Sequence, residues 1–461
     1  MDEGVPTTGR TTEPGRRTHR LPRALVPFEE PQYRILIGAL TLSLLGAGMW
    51  LVAVIWQVIA LDGGPTDLSI VATGAASGLV AAVLIGGVAA DRIPQRRILV
   101  VAEAAKALVI GTSAVLALTD RVEVWHLAVI SFVLGVADGF FYPAYSALLP
   151  SILPPGQLLA ANGVEGMLRP VVMQAAGPAA ASAAIAAASP GLACLLVAAA
   201  QLLATVGLLI MRPTPLRRPV GDPGSAGALA GTDAAADAAA RQRHPFVSVL
   251  IDMRDGFTYL VLTPWLLGTL SYFTLLVLVL MGPIEVLLPF AVKDQAGGGP
   301  GGFALALAAF GIGGAAGSLL VASRTLPRRY LTVMNVLWGV GCVPLAVIGL
   351  TSHLWVMVLA LFLVGFAFQA GTVIWGTLLQ RRVPGHMLGR VSSLDFFVSL
   401  ALMPVSMALA GPVGEAIGLP AAFLIAGLVP PLLAVAAIIL FKMPADEIRH
   451  PLSERTAADT D

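Results

Sequence analysis

Long apolar runs constrain the fold of this chain more than any other feature. Runs of 18 or more residues with few charges recur over the whole length. As a helix rising 1.5 Å per residue, each can cross the ~30 Å of hydrocarbon in a bilayer. Lipid offers backbone polar groups no partner, and no alternating strand pattern is present, so we predict an all-α polytopic membrane protein. The charged fraction agrees, at 12% against about 25% in soluble domains.

The predicted spans fall into two sets of six. They cover approximately residues 34–60, 67–90, 97–119, 124–149, 158–187, 190–211, 264–290, 301–324, 329–350, 354–379, 387–417 and 420–442. Between the sets lies a Pro/Gly/Ala/Asp-rich stretch typical of a flexible linker, followed by apolar residues at helical spacing that predict an interfacial helix. The predicted domains are a disordered cytoplasmic N-terminal tail (1–33), an N-terminal half (34–212), the linker (213–245), the interfacial helix (246–260), a C-terminal half (261–443) and a cytoplasmic C-terminal tail (444–461).

Basic residues lie almost entirely on one side of these spans. Of the 28 Lys and Arg residues, 24 fall in the tails, the linker and the loops of one side, whereas Arg121 and Lys293 fall on the other. Because cytoplasmic loops are enriched in Lys and Arg, we predict a cell-membrane protein with both termini in the cytoplasm. The N-terminal tail has no apolar core, so no cleavable signal peptide is expected. The net charge of +1 gives no indication of nucleic acid binding.

Two stretches 230 residues apart resemble each other. They read "GVADGFFYPAYSALLPSILP" from Gly135 and "GFAFQAGTVIWGTLLQRRVP" from Gly365, with Pro154 aligned to Pro384. The first is in predicted span four and the second in span ten, the fourth span of its own half. Parallel six-helix repeats of this kind are typical of the major facilitator architecture.

The loop after the second span carries a motif, "GGVAADRIPQRR", at residues 86–97. Gly87, Asp91, Arg92 and Arg96 match the loop signature of the major facilitator superfamily, whereas the second glycine of that signature falls at Pro94. A carboxylate at a helix end can cap a facing helix N-terminus and pair with Arg. We therefore expect this loop to hold the two halves closed on one side.

Further segments are similar to particular members of that superfamily. "AAGPAAAS" (175–182) resembles a Gly-Pro signature of antiporter-type members, and "AGPVG" (410–414) repeats the pair in span eleven. We predict helix kinks at Gly177, Pro178, Gly411 and Pro412, which close helix packing alone would also explain. "VADGFF" (136–141), "MLGRVSSL" (387–394) and Arg169 together look like the enterobactin-exporter and macrolide-efflux branch. The resemblance implies a twelve-helix fold with two pseudo-symmetric halves and export of a small molecule.

Five ionisable residues lie within the spans of the first half: Glu103, Lys106, Asp138, Glu165 and Arg169. A charge at mid-membrane costs roughly 2.5–3.5 kcal/mol, so these side chains must face one another or a wet cavity. Asp138 and Arg169 lie at equal depth on consecutive helices, about 16 Å from the cytoplasmic ends. We predict that Asp138 exchanges Arg169 for a proton during transport. A network that only fixes helix packing is the alternative.

The second half carries fewer charges. For Asp395, the alternative to a role in a substrate cavity is a position at a helix N-terminus, which favours an acid. For the aromatic residues, the alternative is a position in the protein core or facing lipid. The predicted substrate cavity is lined by Trp56, Phe141, Tyr145, Tyr272, Glu285, Phe368, Trp375 and Asp395.

The favoured function is secondary active export of an amphipathic or hydrophobic small molecule, coupled to protons, by alternating access. The expected partners are the substrate, protons and the lipid bilayer, with no nucleic acid, cofactor or metal, and we expect a monomer. No G-x-x-x-x-G-K-[ST] motif is present, which disfavours an ATP-driven pump. The alternatives are an importer of a small nutrient with the same fold and, less favoured, a membrane enzyme or receptor. All six histidines lie in loops, tails or span ends, which disfavours an enzyme.

Overall fold

Long helices dominate the protein. A computed structural model describes residues 23–213, 254 and 256–452, and within them twelve helices are long and apolar enough to cross a membrane. The first six are α1 (Pro31–Ala60), α2 (Pro65–Arg92), α3 (Gln95–Leu118), α4 (Val124–Ile152), α5 (Pro155–Leu168, Arg169–Ala176 and Gly177–Ala187) and α6 (Pro190–Ile210). The other six are α7 (Pro264–Gly282 continuing to Ala291–Gln295), α8 (Pro300–Ala322), α9 (Tyr330–Val340 and Val343–Leu350), α10 (Leu354–Arg382), α11 (Gly385–Leu400 and Met403–Ile417) and α12 (Leu419–Leu440). The twelve predicted spans are confirmed, with ends that differ by a few residues.

Two spans, α5 and α7, contain π-helical segments. In α5 the segment Arg169–Ala176 is π-helical and ends directly before Gly177 and Pro178. Proline cannot donate a backbone hydrogen bond, and such gaps are accommodated by π-type turns. The segment Pro283–Leu287 of α7 is π-helical in the same way.

The span α11 is interrupted at a position that we did not predict, whereas the kink expected at Gly411 and Pro412 stays a prediction. The helix is continuous through Gly411 and Pro412, and the span is interrupted at Ala401–Leu402, just before Pro404. Pro404 lies in the first turn of the segment Met403–Ile417, where a backbone N–H has no partner within that segment. Because proline has no N–H, it also cannot donate a hydrogen bond to the preceding segment, Gly385–Leu400. Gly411 instead provides a close approach, since an added Cβ would lie 2.3 Å from the carbonyl oxygen of Pro65 in α2.

The two halves repeat the same packing. In the first half α2 packs along α4 and α3 packs on α6; in the second, α8 packs along α10 and α9 packs on α12. A Cβ added at Gly135 would lie 2.0 Å from the carbonyl oxygen of Ala75, and one at Gly365 would lie 2.1 Å from that of Phe310. Small residues let membrane helices approach this closely. The 230-residue repeat in the sequence is therefore a repeat of helix contacts.

The halves meet where α2 packs on α11 and α5 packs on α8. We call the end of the bundle near residues 93–94, 323–329 and 383–384 the basic face, and the other end the opposite face. At the opposite face the Gly411 N–H donates to Ser69 Oγ (2.6 Å), and Ser182 Oγ donates to the Pro300 carbonyl (2.9 Å). Among the described residues, the hydrogen bonds between the halves all lie at that end, so the bundle is closed there.

The segments outside the spans correct part of the predicted domain layout. Residues Arg23–Glu29 form a 3₁₀-helix and α1 begins at Pro31, so the prediction of a disordered tail is wrong for residues 23–33. The cause is packing, because the Phe28 ring meets the buried Tyr33 ring edge-on at 5.3 Å. A short helix, α13 (Met443–Arg449), follows α12. Residues 1–22, 214–253, 255 and 453–461 lie outside the described part, so the linker and most of the interfacial helix stay predictions. Residues 256–262 are helical.

Candidate functional site

A buried ionic network joins α1, α3 and α4 in the first half. Lys106 Nζ lies 2.6 Å from Asp138 Oδ1 and 3.2 Å from Glu103 Oε1. Glu103 also accepts a hydrogen bond from Ser43 Oγ at 2.8 Å. The ammonium lies 4.7 Å from the centre of the Phe141 ring, close enough for a cation–π contact. Glu103 is fully buried, whereas the Asp138 side chain keeps 37% of its surface exposed, so the network ends at an open boundary.

The pairing inside this set of charges differs from the prediction. Within the described residues Asp138 has no ion pair with Arg169. The Arg169 guanidinium instead donates to Glu165 Oε1 (3.1 Å) and to Tyr142 Oη (3.4 Å). Arg169 does reach α4, but at Tyr142, one helical turn from Asp138. Asp138 pairs with Lys106 instead, because α3 packs on α4. Equal depth counted from the helix ends therefore does not determine the register between two neighbouring helices.

A cavity of about 280 Å³ lies where the network ends. It is enclosed by helices of the first half together with α7 and α11 of the second. Its wall is mostly aliphatic, with Trp50 and the methionines Met173, Met403 and Met407. The polar side chains in the wall are Lys106, Ser131, Asp138, Gln201 and Glu285. The cavity therefore brings the buried network into contact with an apolar chamber between the halves.

Glu285 is the one residue of the predicted cavity set that lies in this wall. Phe141 and Tyr145 stack inside the first half at 6.2 Å, and the Trp56 ring meets Phe303 of α8 at 5.7 Å near the opposite face. The prediction that the aromatic residues line the cavity is wrong, because these rings pack inside the helix bundle and between its halves. Tyr272, Phe368 and Trp375 likewise belong to the interior of the second half.

Asp395 occupies neither of its two predicted positions. It lies in the middle of the helix Gly385–Leu400, where its carboxylate accepts hydrogen bonds from Trp375 Nε1 (3.1 Å) and Ser399 Oγ (3.2 Å). It is therefore held by two donors inside the second half and does not line the cavity.

The comparisons with known proteins decide the family. A sequence model described as the Major Facilitator Superfamily matches residues 37–403 and 286–459. The chain belongs to the Major Facilitator Superfamily. It is 29% identical over 420 residues to "Multidrug efflux pump Tap" of Mycolicibacterium fortuitum, covering 89% of this chain and 95% of that protein. It is 27% identical over 436 residues to the pump of the same name in Mycobacterium tuberculosis strain H37Rv, covering 90% and 94%.

Solved structures share the fold at low identity. The nucleoside transporter NupG superposes with a TM-score of 0.66 at 13% identity, covering 89% of this chain and 99% of that one. A POT family transporter in complex with 5-aminolevulinic acid gives 0.60 at 12% identity, covering 89% and 96%. The major facilitator fold is thus shown, whereas the enterobactin-exporter and macrolide-efflux branch stays a prediction.

Arg96 of the loop motif contacts its own half of the protein in this structure. The Arg96 guanidinium donates to the carbonyl oxygens of Leu208 (2.9 Å) and Leu209 at the end of α6. Those carbonyls are available because a helix C-terminus leaves its last acceptors without helical partners. Arg92 is exposed, an added Cβ at Gly87 would meet nothing within 4 Å, and the side chain of Asp91 lies outside the described part. Arg96 therefore ties α3 to α6, and the expected closure of the two halves by this loop stays a prediction.

The second half has an ionic cluster at the basic face that we did not predict. Arg382, at the end of α10, pairs with Asp446 of α13 and lies 4.5 Å from the centre of the Trp265 ring. Glu447 accepts hydrogen bonds from the Thr332 N–H (2.7 Å) and hydroxyl (3.0 Å), which caps the start of α9. The matching loop of this half has no acid of its own, so α13 supplies the acids from the chain end.

Other participants were missed because they carry no charge. Ser43, Gln201 and Trp50 lie within the apolar runs, whereas the predicted site consists of charged residues and other aromatic residues. An uncharged polar side chain inside a span is a usable signal, because membrane helices bury such groups against partners or cavities.

Proposed function

We propose that this chain is a proton-driven exporter of amphipathic or hydrophobic small molecules. The observation that carries the proposal is the network of Glu103, Lys106 and Asp138, which is buried at one end and borders the cavity between the halves at the other. The relatives named multidrug efflux pumps support export of drug-like compounds. Structural neighbours of other substrate classes share only the fold.

The network can exchange a proton for an ion pair. It contains two carboxylates and one ammonium, so one negative charge is in excess. A proton that binds Asp138 from the cavity removes its attraction for Lys106 and leaves the ammonium with Glu103. Loss of the proton restores the 2.6 Å pair. Each proton that moves with the membrane potential contributes ~2.3 kcal/mol per 100 mV, which can drive the rocking of the halves.

The orientation follows from the basic face. With 24 of 28 basic residues in the tails, linker and loops on that side, the basic face lies in the cytoplasm and the opposite face lies outside. In this orientation the hydrogen bonds between α2 and α11 and between α5 and α8 close the bundle toward the exterior. In this conformation the protein takes up substrate from the cytoplasm. The proposed transporter is a monomer in the cell membrane. In this mechanism no residue acts as a catalyst of bond cleavage.

Replacement of Asp138 tests the proposal. Purified protein in proteoliposomes should accumulate an amphipathic dye such as Nile red or Hoechst 33342 when a pH gradient is imposed. Asp138→Asn should abolish accumulation that depends on the gradient while keeping dye exchange in its absence, because only the proton step is removed. Asp120→Asn, at an exposed position beyond α3, is the matched control and should behave as wild type.

Two results would contradict this proposal. Gradient-dependent accumulation by Asp138→Asn as steep as that of wild type would show that another group carries the proton. Accumulation by wild type that drives the dye toward the face of the tails would favour the importer.

A further inference from the structure

Glu285 differs from the other acids of the membrane region. It lies in the π-helical segment Pro283–Leu287 of α7, on the side of the cavity that belongs to the second half. Within the described residues its carboxylate has no hydrogen-bond or ion-pair partner. By contrast, Asp138 has Lys106 and Asp395 has two donors. Glu285 is thus a carboxylate that borders the cavity and is available to pair with a ligand.

The surroundings of Glu285 do not compensate its charge. The charged groups in the cavity wall are Lys106, Asp138 and Glu285, and Lys106 is already held by two carboxylates. Counted with the buried Glu103, three carboxylates stand against one ammonium, so two negative charges are in excess, and the one on Glu285 lies in an otherwise apolar chamber. A carboxylate in such a place is costly unless it is paired. A cation that enters the cavity from solution can supply that pair, as an alternative to a proton on the carboxylate.

The rest of the wall suits an apolar cation. Trp50 offers an aromatic face, and aromatic faces attract organic cations. Met403 and Met407 of α11 add flexible, polarisable side chains that adapt to different shapes. The cavity volume of about 280 Å³ is near the lower end of the roughly 300–1,000 Å³ that hold drug-sized ligands.

We propose that Glu285 makes the cavity selective for organic monocations with an apolar body, and that it binds them as the counter-ion. This inference rests on the proposed export function and names its substrate class. In the cycle the cation pairs with Glu285 of the second half, while the proton pairs with Asp138 of the first. Substrate and proton thus occupy separate carboxylates on the two sides of one cavity.

Equilibrium binding to the full chain in lipid nanodiscs tests this assignment without any gradient. The probes are tetraphenylphosphonium, a permanent cation, and triphenylphosphine oxide, a neutral relative. Glu285→Gln should weaken binding of the cation by about tenfold or more and leave that of the oxide nearly unchanged, because only the charge interaction is lost. Asp294→Asn removes an exposed acid from the end of α7 and should change neither affinity.

Each outcome decides the question. Unchanged cation binding in Glu285→Gln, or an equal loss for both probes, would overturn the assignment. If Glu285→Gln does not fold, the wild type alone is informative, since it should bind the cation at least about tenfold more tightly than the oxide. Equal affinities would also overturn it. The result is separable from the Asp138 test, which measures coupling to a gradient and includes a neutral dye.

Discussion

The two halves share one packing scheme but place their ionisable groups differently. In the first half, Glu103 and Lys106 are buried within the spans and Asp138 joins them at the cavity. In the second half, the ion pair of Arg382 with Asp446 lies at the basic face, next to the end of the chain. The repeated helix contacts, such as those at Gly135 and Gly365, therefore preserve geometry while the chemistry has diverged.

This difference assigns the halves different tasks. A charge at mid-membrane costs roughly 2.5–3.5 kcal/mol, so it is retained where function requires it. Ionic contacts at the basic face avoid most of that cost and stabilise the ends of α9 and α10 instead. Under the proposed function, the first half carries the proton. The helices of the second half are held together by ionic contacts at the basic face, and this half presents one acid, Glu285, to the substrate.

Removal of Lys106 should produce the largest effect. Lys106→Met leaves the buried Glu103 without its cation, and breaking a buried ion pair from one side costs about 3–5 kcal/mol. We expect a marked fall in the melting temperature in detergent and loss of gradient-driven accumulation. Differential scanning fluorimetry and the proteoliposome assay measure the two effects.

The double variant Glu103→Gln with Lys106→Met separates stability from coupling. It should recover much of the stability, because the buried charge is gone, yet remain unable to use the gradient. Lys293→Met, at an exposed site on the opposite face, is the control and should cost less than about 1 kcal/mol. A Lys106→Met protein as stable and as coupled as wild type would remove the distinction between the halves.

Matched glycine substitutions test the shared geometry. Gly135→Ala and Gly365→Ala each place a Cβ against a backbone carbonyl, which cannot move aside as a flexible side chain can. Overpacking of this kind costs about 1–3 kcal/mol, and we expect similar losses in both halves. Gly376→Ala, on α10 in open space, is the control and should be neutral or slightly stabilising. Destabilisation in only one half would show that the sequence repeat is not a packing repeat.

The fold was predictable from the sequence because the bilayer leaves few alternatives. Span number follows from run length, and the 230-residue offset between Gly135 and Gly365 follows from duplication of a helix contact. The breaks within helices were less accessible, because Gly411–Pro412 and Leu402–Pro404 look alike in sequence. Only the contact of Gly411 with α2 distinguishes a close approach from an interruption.

The site was predictable in composition but not in pairing. Charge type and depth identify Glu103, Lys106 and Asp138 as residues that must find partners. They do not determine the register between α4 and α5, which places Arg169 at Tyr142, one turn from Asp138, and leaves Asp138 to Lys106. The basic-face cluster was missed because Asp446 and Glu447 follow the last span, where a tail was expected and the helix α13 packs.

Arginine substitutions at the basic face should give the smallest effects. They compare how much the stability of each half depends on its contacts at that face. Arg382→Ala leaves Asp446 without its main partner and removes the guanidinium from the Trp265 ring. We expect the free energy of unfolding to fall by about 1.5 kcal/mol. Amide hydrogen exchange in Met443–Arg449 should become faster. Arg96→Ala uncovers the carbonyls at the end of α6, which water can then hydrate, so it should cost less. Arg381→Ala, exposed on the same turn of α10, is the control. If Arg96→Ala proved the more damaging, the first half would depend on its basic face as well, and the division between a coupling half and a half held together at the basic face would fail.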